Sequence, residues 1–175
     1  MLQFYINQKF FTIVAEDFTI LDGKGLPVYR VEGQMLWAGK HLTVRDNDGG
    51  ARLVLNRRFF SFLTAIDICD GNENPIALFR EKFHIGFRQR CYVETVRGER
   101  YDIEGNFFGT HYEIFKNSKD GESGGVLVAD VEKNFIEFGD KYRVNVFVEE
   151  EALTVLATVL CVDMFRVVRQ ARSSN

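Results

Sequence analysis

The sequence predicts a mainly β protein: a closed antiparallel barrel of about twelve strands around one central C-terminal hydrophobic α-helix. Three observations lead there. Before Glu149 the chain is a series of short alternating stretches, each ended by a Gly, Asn or Asp cluster. After it comes one long stretch that is apolar on every side. Between them, a strand–turn–strand unit echoes at an offset of 100 residues.

Taken in order, Phe10 to Val14 and Phe18 to Leu21 read as strands and lead into the turn Asp22-Gly23-Lys24-Gly25. Val28 to Glu32, Met35 to Trp37 and His41 to Arg45 follow. Asp46-Asn47-Asp48-Gly49-Gly50 is the strongest hairpin signal, because Asp, Asn and Gly tolerate the left-handed backbone of tight turns. Arg52 to Asn56 and Phe60 to Cys69 come next, and Asp70 to Asn74 turns the chain into Ile76 to Arg80. Further strands are expected at Phe83 to Phe87, Cys91 to Val96, Tyr101 to Glu104 and Tyr112 to Phe115. Asn117 to Gly125 reads as a soft polar loop. Val126 to Val131, Phe135 to Phe138 and Tyr142 to Val148 complete the set.

The stretch Glu149 to Val168 has no charge from Ala152 to Val162, and only Thr154 and Thr158 are polar there. Its apolar residues surround a 3.6-residue helix, so such a helix must be buried all round. Glu149, Glu150 and Glu151 precede it, and Arg166, Arg169 and Arg172 close it, as a helix macrodipole prefers. Thr154 and Thr158 are four apart, so their hydroxyls can bond carbonyls of the preceding turn. A membrane span needs about 20 mostly apolar residues, more than this run offers before Asp163. A buried strand suits the β-branched content but not an unbroken run of this length.

The echo pairs Gly25 with Gly125, Val28 with Val128, Val31-Glu32 with Val131-Glu132, Gly39 with Gly139 and Val44 with Val144. Repeated hairpins favour closure, because closure removes edge strands. A barrel of about twelve strands has a lumen too wide for its own side chains, and the apolar helix is the segment able to fill it.

With 175 residues the chain is expected to form one domain, 1–175. A net charge of −3 gives no nucleic-acid polycation. Cys69, Cys91 and Cys161 are odd in number and widely spaced, which fits a reducing compartment and no disulfide framework. The opening MLQFYINQKFF lacks the basic and apolar regions of a signal peptide, so a cytoplasmic location is expected.

The opening QKFFTIVAEDFTILDGKGLPVYRVEG carries the pattern K-F-F, then D-F-x-I-x-D-x-x-G-x-x-V-Y-x-V-x-G. YDIEGNFFGTHYEIF and VEKNFIEFGDKYRV follow before the helix. Over nearly its whole length the chain resembles the LURP-one-related (YxjI) family. The resemblance implies a fold similar to the tubby C-terminal domain and the phospholipid scramblases, a twelve-stranded barrel around a hydrophobic helix. It also implies contact with phospholipid or phosphoinositide head groups, an associational step from fold to function.

Between Arg52 and Arg100 there are nine Lys/Arg against six Asp/Glu. Arg57-Arg58 precede Phe59-Phe60, while Lys82, Arg88 and Arg90 bracket Phe83-His84-Ile85-Gly86-Phe87. Bases beside aromatics suit anionic head groups, so Arg57, Arg58, Lys82, Arg88 and Arg90 are the candidate head-group rim; an ordinary solvated strand face is the competing reading. His41, His84 and His111 share no metal-ligand spacing, and no metal or cofactor is expected. Asp22 to Gly25 has no following helix to bind phosphate and reads as a turn. Asp102 and Glu104 share one strand face, solvated rather than metal-binding, and Cys161 should be buried and inert. No nucleophile, P-loop or dinucleotide fingerprint is present, so the expected protein is a binding or scaffold module and not an enzyme. A carrier of a small apolar ligand and a protein-interaction module in a stress response are the alternatives.

Overall fold

A computed structural model describes residues 1–8, 17–36, 39–58, 63–82, 90–106, 109–117, 125–134 and 140–173. Twelve strands close into one antiparallel barrel: β1 (Leu2–Gln8), β2 (Phe18–Asp22), β3 (Pro27–Leu36), β4 (Gly39–Arg45), β5 (Ala51–Arg57), β6 (Ala65–Asp70), β7 (Pro75–Lys82), β8 (Arg90–Thr95), β9 (Arg100–Asn106), β10 (His111–Asn117), β11 (Val126–Asn134) and β12 (Asp140–Val146). Every strand pairs with its sequence neighbours, and β1 closes the ring against β12, Leu2 opposite Val146. A 3-10 turn, Glu149–Glu151, then leads into helix α1 (Ala152–Ser173).

Alternation makes the core. Phe4 and Ile6, Val31, Leu42 and Val44, Leu53 and Leu55, Ile66 and Ile68, and their counterparts on every other strand face inward. They meet α1, which is buried continuously from Val155 to Arg166. A helix clad on all sides has no solvent-facing stripe over those turns, which explains why Val155 to Val162 is apolar but for Thr158. Each fully buried Val, Leu or Phe there contributes about 1.5–3 kcal/mol by leaving water. The Thr158 hydroxyl is buried and donates to the Thr154 carbonyl at 2.8 Å, so it needs no outside partner.

One turn recurs along the chain. Asp22, Asp46, Asp70 and Thr95 each donate their backbone N–H to the carbonyl four residues on, and each carbonyl accepts the N–H three residues on. Each aspartate also accepts two further backbone N–H groups on Oδ1, at 2.8–3.1 Å. The fourth turn residue is left-handed in all four: Gly25 (φ 80°), Gly49 (φ 82°), Glu73 (φ 64°) and Gly98 (φ 81°). Glycine bears that conformation without strain, whereas Glu73 does not. The offset of 100 residues maps β3 onto β11 and β4 onto β12, with Val31 and Val131, and Val44 and Val144, all buried inward.

Some local readings change. Residues 2–8 form a strand that the sequence reading left out. Val28 to Glu32 and Met35 to Trp37 are not separate strands, because β3 runs unbroken from Pro27 to Leu36. In the stretch Phe60 to Cys69 the strand begins at Ala65, after Leu63 and Thr64, and 60–62 lie outside the described residues. The helix continues past Val168 to Ser173. Phe10 to Val14, Phe83 to Phe87 and Phe135 to Phe138 lie outside the described residues, as does 118–124 of the polar loop.

Candidate functional site

The barrel has two chemically different ends. The four repeated turns lie at one, together with the start of α1; the last turns of α1 lie at the other.

At the turn end the helix start is tied to the wall. Glu151 accepts the Tyr101 hydroxyl at 2.6 Å and Lys116 Nζ at 2.5 Å, and Lys116 also reaches Glu99 at 2.8 Å. Burial pulls Lys116 down, but the Glu151 and Glu99 carboxylates outweigh it and hold the amine well above the usual lysine range. Burial raises the Tyr101 hydroxyl too, assisted by Glu151. The turns at this end carry Asp22, Asp46, Asp48, Asp70, Glu73 and Glu99 beside the helix-start glutamates, against Lys24 and Arg97 on the turns and Arg45, Arg52 and Arg100 at the adjoining strand ends.

At the other end the polar groups go inside. Tyr142 on β12 donates its hydroxyl to Asp163 Oδ1 at 2.7 Å and accepts from Arg166 Nη1. Lys133 Nζ stands 5.4 Å from the Tyr142 ring centroid. On the opposite wall, buried Glu81 accepts Arg169 of the helix and, at 3.1 Å, the backbone N–H of Thr64. Asp163 and Arg166 are buried, so their charged groups need hydrogen-bonding partners, and the Tyr142 hydroxyl serves both. Burial, then the Asp163 charge, drives the Tyr142 hydroxyl far above the ordinary phenol range; the same two causes act on Tyr112. This collar escaped sequence reasoning, because its halves are far apart in the chain. Its one local trace is Asp163 breaking the apolar run, with Arg166 one turn later.

Four of the five candidate rim residues are carried by described strand ends at this same end. Arg57 is the last residue of β5 and is half-buried, and Arg58 follows it. Arg58 is exposed and grips Asp67 with both Nε (2.8 Å) and Nη2 (2.6 Å), a bond that lifts its pKa further. Lys82 on β7 and Arg90 on β8 are Cα partners. Arg88 lies in 83–89, outside the described residues. The register thus brings Arg57, Lys82 and Arg90 to one rim, around the helix's Arg166 and Arg169.

The other motifs have local explanations. His41 sits between Asn56 at 2.5 Å and Thr43 at 3.1 Å, and His111 lies 3.3 Å from Asp130; His84 is outside the described residues. Asp102 is held by Arg100 at 2.6 Å, and Arg100 stacks 4.3 Å above the Tyr92 ring. Among the described residues, no group of three His, Cys, Asp or Glu side chains is placed to hold a metal ion. Cys69, Cys91 and Cys161 are all buried and free. No helix among the described residues is long and apolar enough to cross a membrane.

A twelve-stranded closed barrel holding its own C-terminal helix, with a polar collar at one end, defines the class. Residues 2–163 match the LURP-one-related family, and the chain belongs to it. It is 23% identical over 164 residues to the "Uncharacterized protein YxjI" of Bacillus subtilis (strain 168), covering 94% of this chain and 93% of that protein. No solved structure matches the chain.

Proposed function

We propose that this protein works by binding, without catalysis, and that its basic end meets anionic phospholipid or phosphoinositide head groups at a membrane surface. The observation that carries the reading is the axial separation of charge: acids on the turns, and Arg57, Arg58, Lys82 and Arg90 on the opposite strand ends. Bases near an anionic surface are attracted by about 1 kcal/mol each, so a few together suffice for reversible attachment. In sequence, the segments that join these strand ends carry Phe59, Phe60, Phe83 and Phe87, apolar groups suited to shallow insertion beside bases. A carrier of an apolar ligand is the weaker reading, because α1 and the inward side chains already pack against each other where such a ligand would sit.

The test is co-sedimentation with phosphatidylcholine vesicles, alone and doped with phosphatidylserine or a phosphoinositide. Wild type should pellet only with the anionic vesicles, and less as salt rises. A Lys82→Glu/Arg90→Glu variant should stay in solution. Equal, negligible sedimentation of both proteins with every vesicle ends the proposal.

A further inference from the structure

The turn end has a second feature beyond its charge. The large apolar side chains exposed among the described residues are Met1 (75%), Leu26 (59%), Val96 (70%), Val126 (62%) and Phe147 (40%), and all five lie at this end. Four of them follow one another around the rim. Leu26 closes the β2–β3 turn, which lies close to β1: a Cβ added at Gly23 would stand 3.4 Å from Gln3 Cβ. Met1 and Phe147 are the next positions outward from the Leu2–Val146 pair. Phe147 donates its N–H to Val128 at 2.8 Å, two residues along β11 from Val126. Val96 stands farther round, on the β8–β9 turn. Grouped exposure of this kind marks an interaction surface more than scattered single residues do.

Carboxylates border the arc. Glu149 and Glu150 are exposed and follow Phe147 after the half-buried Val148. Glu150 has no ion pair among the described residues, and Glu149 meets only the Met1 amine, at 3.2 Å between two exposed groups. An exposed pair of that sort is worth little and exchanges readily for another cation. We propose that this rim docks a cationic amphipathic segment of another protein, its apolar side chains on Leu26, Phe147 and Val126 and its lysines or arginines on Glu149 and Glu150. The two other occupants fit worse. A second copy related by two-fold symmetry sets Glu149 and Glu150 against their own kind. An anionic membrane meets the same repulsion, and a zwitterionic one offers its ammonium groups only beside their own phosphates. This goes beyond the membrane reading: the surface is at the opposite end, so one barrel joins a lipid surface to a basic protein segment.

The probe is a short labelled helical peptide of leucine and lysine with the leucines on one face, followed by fluorescence anisotropy against the full chain. A peptide of the same composition with scrambled spacing and a leucine–glutamate peptide are the controls. Binding should be specific to the first peptide. It should weaken by at least about tenfold in Glu149→Lys/Glu150→Lys and, separately, in Leu26→Ser/Phe147→Ser. Arg58→Glu, at the other end, should leave it unchanged. Circular dichroism melts confirm that each variant is folded. Absent binding, equal binding of the scrambled peptide, or binding indifferent to the turn-end substitutions each overturns the proposal. So does a concentration-dependent dimer, or binding to pure phosphatidylcholine vesicles, that Leu26→Ser/Phe147→Ser abolishes, since the rim then serves a second copy or a membrane. Neither result depends on the basic end, so the two proposals fail separately.

Discussion

Replacing Asp163 by alanine removes the carboxylate that ties the last buried turn of α1 to β12. Asp163 is 5% exposed, as is Arg166, and between them stands the Tyr142 hydroxyl, 2.7 Å from the carboxylate. Without Asp163 the buried Tyr142 hydroxyl loses its acceptor, and the buried Arg166 charge beyond it loses a neighbouring carboxylate. Removing one member of a buried charged network costs about 3–5 kcal/mol. In a chain of this size each kcal/mol lowers the melting temperature by about 2–4 °C, so Asp163→Ala should melt about 6–20 °C below wild type. Tyr142→Phe deletes only the bridging hydroxyl, a bond to a charged group worth about 1–3 kcal/mol. In the double variant the phenylalanine removes a hydroxyl that had already lost its acceptor. The two losses should therefore fall short of additivity by about 0.5–3 kcal/mol. Urea unfolding followed by far-ultraviolet circular dichroism measures all three. A loss under about 1 kcal/mol for Asp163→Ala, or strict additivity, refutes the claim that these groups act as one buried unit.

The remaining predictions concern the turns, the acid limit and the thiols. Glu73→Gly relieves a left-handed residue and should raise stability by about 1 kcal/mol, whereas Gly71→Ala should destabilise, because a Cβ there would sit 1.8 Å from the Ala51 carbonyl oxygen; unfolding midpoints give both signs. Asp70 is held below the usual carboxylate range, first by the Asn74 side chain, and Glu99 likewise, first by Lys116. Groups depressed on folding add stability above their unfolded pKa and lose it as the pH falls through the folded one, so stability should drop below about pH 4. Asp70→Asn keeps an acceptor in the turn and should flatten that acid limb; an unchanged limb refutes the assignment. Burial pushes the Cys91 and Cys161 thiols far above their ordinary range. All three cysteines should therefore resist iodoacetamide at pH 8 until the barrel unfolds, as mass spectrometry would read.

How much of this was legible depended on how local each signal was. The barrel and its plug were legible because the turn aspartates and the run from Ala152 to Val162 are contiguous in the chain. Residues 2–8 were not read as a strand, although Phe4 and Ile6 face inward between the less buried Gln3 and Tyr5, a period of two that was there to find. The break in β3 was an artefact of Gly33-Gln34, which reads as punctuation but is spanned by the ladder to β4. Bases suit a helix C-terminus, so Arg166, Arg169 and Arg172 point to an end near Val168, short of the observed Ser173. In fact Arg166 and Arg169 find Tyr142 and Glu81 inside the barrel. The basic cluster was visible as composition, but its gathering on one rim required the pairing of β5 through β8.

Part of the axial charge separation belongs to the fold itself. A helix threaded through a barrel presents its positive end at one rim and its negative end at the other, and Glu149–Glu151 and Arg166 and Arg169 answer that dipole. The effect dies away within the first and last turn, so it gives no reason for charges borne by the strands and their hairpins. Asp48 and Glu73 on the turns, and Arg58, Lys82 and Arg90 on the strand ends, fall in that second group. Arg58 shows the distinction best: it is exposed, and its ion-pair partner Asp67 lies on β6. A surface pair of this kind does little for stability. The strand-borne charges therefore take no part in answering the dipole, and charge reversals there should change binding while leaving the melting temperature near wild type.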